Sequence, residues 1–186
     1  MKTSFFTQQE LKKIEFKHIG NNCLISNRAS LYSPEKIEIG DNVRIDDYCI
    51  LSGSIRIGSY VHISAYTALY GKYGIIIEDF VTISARVLLF SQNDDYSGRF
   101  MTNPMIPSNY TKVEGGEIIL MKHSIVGAGS IILPKVTFHE GSCLGAMSLA
   151  KNDLQEWKIY AGIPAKYLRD RYRAIQIHEQ NFINNL

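Results

Sequence analysis

Five histidines and 18 acidic residues supply the groups with which this chain could move protons or hold ligands. The three cysteines, Cys23, Cys49 and Cys143, form no CxxC pair, and no histidine sits in an HExxH pattern, so the spacing offers no metal set. An imidazole is the side chain best matched to taking a proton near neutral pH. His62 stands apart from the other histidines because Ile63-Ser64-Ala65, directly after it, opens a column of small residues that a repeat, described next, brings into line. His18, His123, His139 and His178 adjoin no such column and read as polar residues at outward corners. Two acidic pairs, Asp46-Asp47 and Asp94-Asp95 with Tyr96 beside it, are the other candidates. Turn capping competes for the second pair, since Asp and Asn hold turns locally.

The element that must position these residues is a repeat of six. Ile39, Ile45, Leu51, Ile57, Ile63 and Leu69 fall in phase, and the fifth place of each block is small or branched: Val43, Cys49, Ile55, Val61, Thr67. A period of six is neither helical nor plain alternation; it is the signature of a parallel β-helix, each block giving one short strand and one corner. Earlier blocks open at Ile19, Ile25 and Leu31, and a two-residue slip leads to Ile39. Another slip of two precedes Ile77, Ile83 and Leu89; after an interruption the phase resumes at Leu120, Val126, Ile132, Phe138 and Leu144. That makes about 17 blocks, or nearly six coils of three.

With three blocks per coil, every third block shares a face. One face collects the blocks at Ile45, Ile63, Ile83, Val126 and Leu144, whose next two residues are Asp46-Asp47, Ser64-Ala65, Ser84-Ala85, Gly127-Ala128 and Gly145-Ala146. The other faces carry bulkier pairs there, such as Glu78-Asp79 and His139-Glu140. Coils repeat at about 4.8 Å, so the small column from Ser64 to Gly145 spans about 14 Å. Tight corners alone would favour small residues, but not their concentration on one face.

Around this all-β body, Thr7-Gln8-Gln9-Glu10 reads as a capping box that starts a short helix, with residues 1–17 covering the open end of the stack. The body is expected over 18–150, with a protruding, ordered loop at 92–116, and a C-terminal extension over 151–186 ends in a helix. At 45% hydrophobic, 20% charged and net charge +2, the composition is globular and gives no basic field for nucleic acid. No run is apolar enough to span a bilayer or serve as a signal core, and the unpatterned thiols suit a reducing compartment, so a cytoplasmic location is expected.

The blocks resemble those of the hexapeptide-repeat, left-handed β-helix acyltransferases. Val126-Gly127-Ala128-Gly129-Ser130, Leu144-Gly145-Ala146-Met147-Ser148 and Tyr160-Ala161-Gly162-Ile163-Pro164-Ala165-Lys166 look like that family's closing motif. Val43-Arg44-Ile45-Asp46-Asp47, Val61-His62-Ile63-Ser64-Ala65-Tyr66 and Ser91-Gln92-Asn93-Asp94-Asp95-Tyr96-Ser97-Gly98 resemble the sugar O-acetyltransferase branch associated with bacterial surface polysaccharides. The resemblance implies acetyl-CoA as co-substrate, a homotrimer, and active sites in clefts between subunits. It leaves the acceptor open among a sugar, a nucleotide sugar and a glycan.

On that footing the expected activity is O-acetylation of a carbohydrate, with His62 as general base for direct attack of a hydroxyl on the thioester. Asp94 or Asp95 would assist across a trimer cleft. Asp46, Asp47 and Tyr96 would hold the acceptor. Ser84, Ala85, Gly127, Ala128, Gly145 and Ala146 would line the pantetheine arm, with backbone amides steadying the thioester carbonyl. Lys151, Pro164 and Lys166 would meet the nucleotide end of CoA, with Arg169 and Arg171 nearby. One alternative is N-acetylation of a nucleotide-linked amino sugar on the same scaffold. Another is a non-catalytic β-helix used for assembly.

Overall fold

The computed structural model describes residues 4–185 as a left-handed parallel β-helix of triangular coils. The block-opening residues point inward: Ile39, Ile45, Leu51, Ile57, Ile63 and Leu69 are all at most 2% exposed, and so are Ile77, Ile83, Leu89, Leu120, Val126, Ile132, Phe138 and Leu144. The fifth-place residues Cys23, Val43, Cys49, Val61 and Thr67 join them. Inward aliphatic residues stacked coil on coil make one continuous core, and each burial contributes roughly 1.5–3 kcal/mol. The stack runs past the last expected block, because Ala150, Leu154 and Tyr160 add a further turn.

The first face stacks Leu24–Ile25, Arg44–Ile45, His62–Ile63, Thr82–Ile83, Ile125–Val126 and Cys143–Leu144 in parallel, then Lys158–Ala161. At the corner after this face Tyr48, Tyr66 and Arg86 take left-handed backbone conformations; at the corner before it Tyr60, Phe80 and His123 do the same. Such φ values are uncommon for residues with a Cβ. Here the strand spacing brings rings into stacking range, with centroids 5.0 Å apart for Tyr48–Tyr66 and 5.1 Å for Tyr60–Phe80, which offsets part of that cost.

The third corner absorbs every irregularity in the repeat. It holds Ser33 and the short turn Pro34–Lys36, then Gly53, then Gly71 to Gly74, and finally the loop. Gly53 has φ of 93°, and a Cβ there would lie 2.6 Å from the Gly71 carbonyl carbon, so only glycine lets the two coils meet. The slips seen in the sequence are therefore bulges at one edge of the prism, and the other two edges keep a strict register.

Thr7 and Glu10 form the expected capping box on α1 (Gln8–Leu11). Leu11 is buried, and Phe6, Ile14 and Phe16 pack on the open end of the core. Ahead of α1, the chain lies antiparallel along the first face, with the Phe6 N–H donating to the Ile25 carbonyl and the Asn27 N–H to Ser4.

At the other end Lys158–Ala161 pairs antiparallel with Lys166–Asp170, and α2 follows at Ile175–Ile183. The spacing of Leu168, Tyr172 and Ile175 suggests a helix from Tyr167; the open edge of the last coil instead recruits 166–170 as a strand. Helix α2 folds back on the first corner, where Glu179 meets Lys122 at 2.5 Å and His123 Nε2 at 2.8 Å. His123 is not the outward polar residue expected from its position: it is 2% exposed and lies between Phe80 and Trp157. No helix among the described residues is long and apolar enough to cross a membrane.

The docking of α2 carries a pH signature. Burial acts to raise the Glu179 pKa, but hydrogen bonds from Lys122 and His123 hold it below 4.5. A depressed carboxylate stabilises the folded state above its unfolded pKa and loses that contribution as pH falls through the folded value. Limited proteolysis is therefore expected to release the segment after Tyr172 as pH falls below the ordinary glutamate range while the coils stay intact, and a Glu179→Gln variant is expected to release it already at neutral pH.

Candidate active site

The small column exists as a physical stack. The N–H of Asp46 donates to Ile63 O, that of Ser64 to Ile83 O, and that of Ser84 to Val126 O; Gly127 donates to Leu144 O and Gly145 to Tyr160 O. A Cβ on Gly127 would sit 2.4 Å from the Ala146 nitrogen, so the upper part of the column is tight against backbone. These second-place amides are thus already used between coils. The amides of Ala85, Ala128 and Ala146 donate to no protein acceptor among the described residues. They, not the glycine amides, are the ones free to meet a carbonyl or an amide arm lying along the column. Ser84 Oγ is likewise without a protein partner among the described residues, while its carbonyl accepts from Thr67 Oγ1.

His62 stands at the lower end of this column. Its Nε2 lies 2.8 Å from Asp46 Oδ2, and Arg44 Nε donates to Asp46 Oδ1 at 2.7 Å. Register explains the cluster: Arg44 pairs with His62 across adjacent strands, and Asp46 leaves its strand two residues further on. Burial works against the charge on Asp46, but the hydrogen bonds from His62 and Arg44 and their positive charge hold its pKa below 3.8. An ionised carboxylate only accepts, so Nε2 carries the hydrogen, and in the neutral ring Nδ1 holds a lone pair. The imidazole side chain is 40% exposed, against 16% for Asp46. The imidazole is held by a carboxylate, with one nitrogen fixed and the other open.

Both oxygens of Asp46 are therefore engaged within the protein. Asp47 is also occupied, accepting from Ser26 Oγ at 2.5 Å and Arg28 Nη1 at 2.9 Å. In this arrangement Asp46 orients the imidazole and Asp47 braces the corner; neither offers a free oxygen to an acceptor hydroxyl. Arg44, which spacing alone did not single out, was findable because it lies one coil below His62 in the same outward register.

The loop belongs to the third corner, away from His62 and Ser84. Gln92–Asn93 and Glu114–Gly115 form its antiparallel base. Asp95 accepts from the Ser97 hydroxyl and from the N–H groups of Ser97, Arg99 and Phe100, which together hold its pKa down to about 2. It holds the turn. Asp94, exposed, has no ion pair or hydrogen bond among the described residues, and Tyr96 is 91% exposed. The loop folds over Leu133–Lys135 to form an open cavity of about 510 Å³ that Asp94, Tyr96, Lys135 and Lys151 help to line. Of the residues expected at the nucleotide end of CoA, Lys151 thus faces the loop cavity. Pro164 and Lys166 lie in the terminal hairpin, above the end of the column. Among the described residues no group of three or more His, Cys, Asp or Glu side chains is placed to hold a metal.

Comparison with known proteins matches residues 36–71 to the bacterial transferase hexapeptide (six repeats) model. The dTDP-4-amino-4,6-dideoxy-D-glucose acyltransferase of Escherichia coli is 42% identical over 92% of this chain and 91% of that protein. The chain belongs to the hexapeptide-repeat acyltransferases. Within that family, AntD, an N-acyltransferase from Bacillus cereus, superposes with a TM-score of 0.98 over all of both chains at 49% identity. AntD has been solved with dTDP-4-amino-4,6-dideoxyglucose and coenzyme A, and with dTDP and 3-hydroxybutyryl-CoA. A putative lipopolysaccharide biosynthesis O-acetyl transferase of E. coli K12, WbbJ, is more distant, at 24% identity over 79% of this chain and 75% of its own. Several AntD structures carry substitutions at Ser84 or Asp94, and this chain has serine and aspartate at the same two numbers.

Proposed function

We propose that this protein transfers an acyl group from a coenzyme A thioester to the amino group of a dTDP-linked amino sugar of the 4-amino-4,6-dideoxyglucose type. The observation that carries this reading is the full-length match to AntD, in complex with that amino sugar and coenzyme A, at 49% identity. It replaces the expected hydroxyl acceptor by the amine alternative, since the relatives that act on or bind the amino sugar are far more similar than the O-acetyl transferase.

The chemistry asks little of the protein beyond placement. The lone pair of the amine attacks the thioester carbonyl, and the tetrahedral adduct carries an oxyanion and an ammonium. His62 Nδ1 takes the ammonium proton while Asp46 holds the ring. The carbonyl re-forms, the C–S bond breaks, and the CoA thiolate leaves and is protonated from solvent. The free amides of the column, at Ala85, Ala128 and Ala146, are available to the thioester arm and its carbonyl oxygen. Ser84 lies two coils above Asp46 on the same line, where its unpartnered hydroxyl can reach the acceptor nitrogen.

Asp94 sits on a different corner from Ser84 and His62 in the same chain. A site that uses both draws them from two subunits, so the reading includes a homotrimer whose neighbouring loop closes each column. The test is acceptor choice. Release of CoA thiol is to be followed with acetyl-CoA and 3-hydroxybutyryl-CoA against dTDP-4-amino-4,6-dideoxyglucose and against its 4-hydroxy counterpart. Turnover confined to the amine is expected; turnover of the hydroxy sugar alone would restore O-acylation.

A further inference from the structure

The two carboxylates at the lower end of the column are met from below by residues 4–6. Phe5 bridges Ser26 in antiparallel sense, and backbone bonds tie Phe6 to Ile25 and Asn27 to Ser4. Alternation along this short extended run sends Phe6 to the core, where it packs with Ile14 and Phe16, and leaves the Phe5 ring on the outer face. There the guanidinium carbon of Arg44, one coil up, lies 5.3 Å from the Phe5 ring centroid. The same guanidinium donates through Nε to Asp46, and Asp46 holds His62. The segment reaches the second carboxylate as well, since hydrogen bonds from Ser26 and Ser4 keep the Asp47 pKa below 3.8.

Covering the open end of the stack does not require a ring at this place, but the imidazole does. The Arg44 side chain is 53% exposed, and among the described residues Asp46 is its one ion-pair partner. A long side chain with that freedom keeps a single geometry only if its plane is held, and an aromatic face over a guanidinium holds it. Arg44 serves His62 in two ways. It fixes the carboxylate that fixes Nε2, and its positive charge offsets that carboxylate. Asp46 alone would favour the imidazolium, which has no lone pair left to take a proton. The strand above sets only the uncharged Thr82 over the ring, and the other charges of the lower corner, Asp47 and Arg28, pair with each other. We infer that Phe5 is a positioning residue for the base, acting through Arg44 and Asp46 on His62. This role rests on the mechanism proposed above, in which His62 takes the proton, and extends the site to residues 4–6.

The test uses the full chain and the variants Phe5→Leu, Phe5→Trp and Arg44→Gln, with His62→Ala to assign the His62 signals in imidazole nitrogen–proton spectra. In Arg44→Gln the titration midpoint of those signals is expected to rise by about one pH unit, since a lone carboxylate then faces the ring. In Phe5→Leu it is expected to rise by less, and in Phe5→Trp to return to the unaltered value, because an aromatic face is restored. With acyl-CoA and the amino-sugar nucleotide, kcat at neutral pH is expected to fall by up to about tenfold in Arg44→Gln and about threefold in Phe5→Leu, both KM values staying within about twofold. An unmoved midpoint in Phe5→Leu or Arg44→Gln would overturn the inference even if kcat or the melting temperature fell, because the segment would then serve the fold alone. So would equal shifts in Phe5→Leu and Phe5→Trp. If the midpoints move as expected while the unaltered protein acylates no amino sugar, the proposed acceptor has failed and the positioning of His62 stands.

Discussion

Replacing His62 by alanine is expected to lower kcat for the amino-sugar acceptor by about 10²-fold, the lower end of what general base catalysis contributes. The lower end applies because an amine attacks through a lone pair it already has. The proton is lost only afterwards, from a strongly acidic ammonium, so solvent or buffer can partly replace the imidazole. A hydroxyl must be deprotonated as it attacks, and on that chemistry the same substitution would approach the upper end, about 10⁴-fold. The size of the loss therefore reports on the acceptor as well as on the residue. Stability is expected to hold, because the ring is 40% exposed and Asp46 keeps its bond to Arg44 when His62 is gone. Asp46→Asn should lose part of the same activity through a ring no longer held in one tautomer. It should also alter the pH profile, which a merely structural role for Asp46 would leave in place. A His62→Ala variant with undiminished kcat and an unchanged melting temperature would remove the imidazole from the mechanism.

Much of this arrangement was legible in the sequence because the repeat leaves few choices. Once Ile45, Ile63, Ile83, Val126 and Leu144 share a face, the residues just after them must share a corner, and Ser84 and Gly127 are aligned without further information. The acidic lower end of the column and its neighbouring histidine follow from the same count. What the count cannot carry is the partner of each side chain. Asp46 and His62 lie on successive coils at a diagonal, and only their atoms reveal a bond between them. Backbone amides were expected to serve the thioester, yet the period does not say which are consumed between coils; the second-place amides are, the third-place ones are not. His123 shows the converse error, a corner residue read as solvated that a distant helix covers, since no local pattern announces that 175–183 returns to 122–123. The terminal strand at 166–170 escaped for a related reason, being made by an exposed sheet edge and not by its own spacing.

The placement of Asp94 leads to a second result of large size. His62→Ala and Asp94→Ala proteins, each nearly inactive alone, are expected to regain activity when unfolded together and reassembled. In the closed symmetric trimer proposed above, each site would take its His62 side from one subunit and its Asp94 side from the next. With the two variants mixed equally, any site draws an intact His62 side half the time and, independently, an intact Asp94 side half the time. Roughly one quarter of the sites are then whole, and specific activity should recover to roughly a quarter of the unaltered protein's. If both residues acted within one subunit, every site would carry one lesion or the other, and mixing would restore nothing. The geometry within one chain favours the first outcome, because the loop base at Gln92–Asn93 and Glu114–Gly115 leaves from the insertion edge of the prism while the His62 column runs along another.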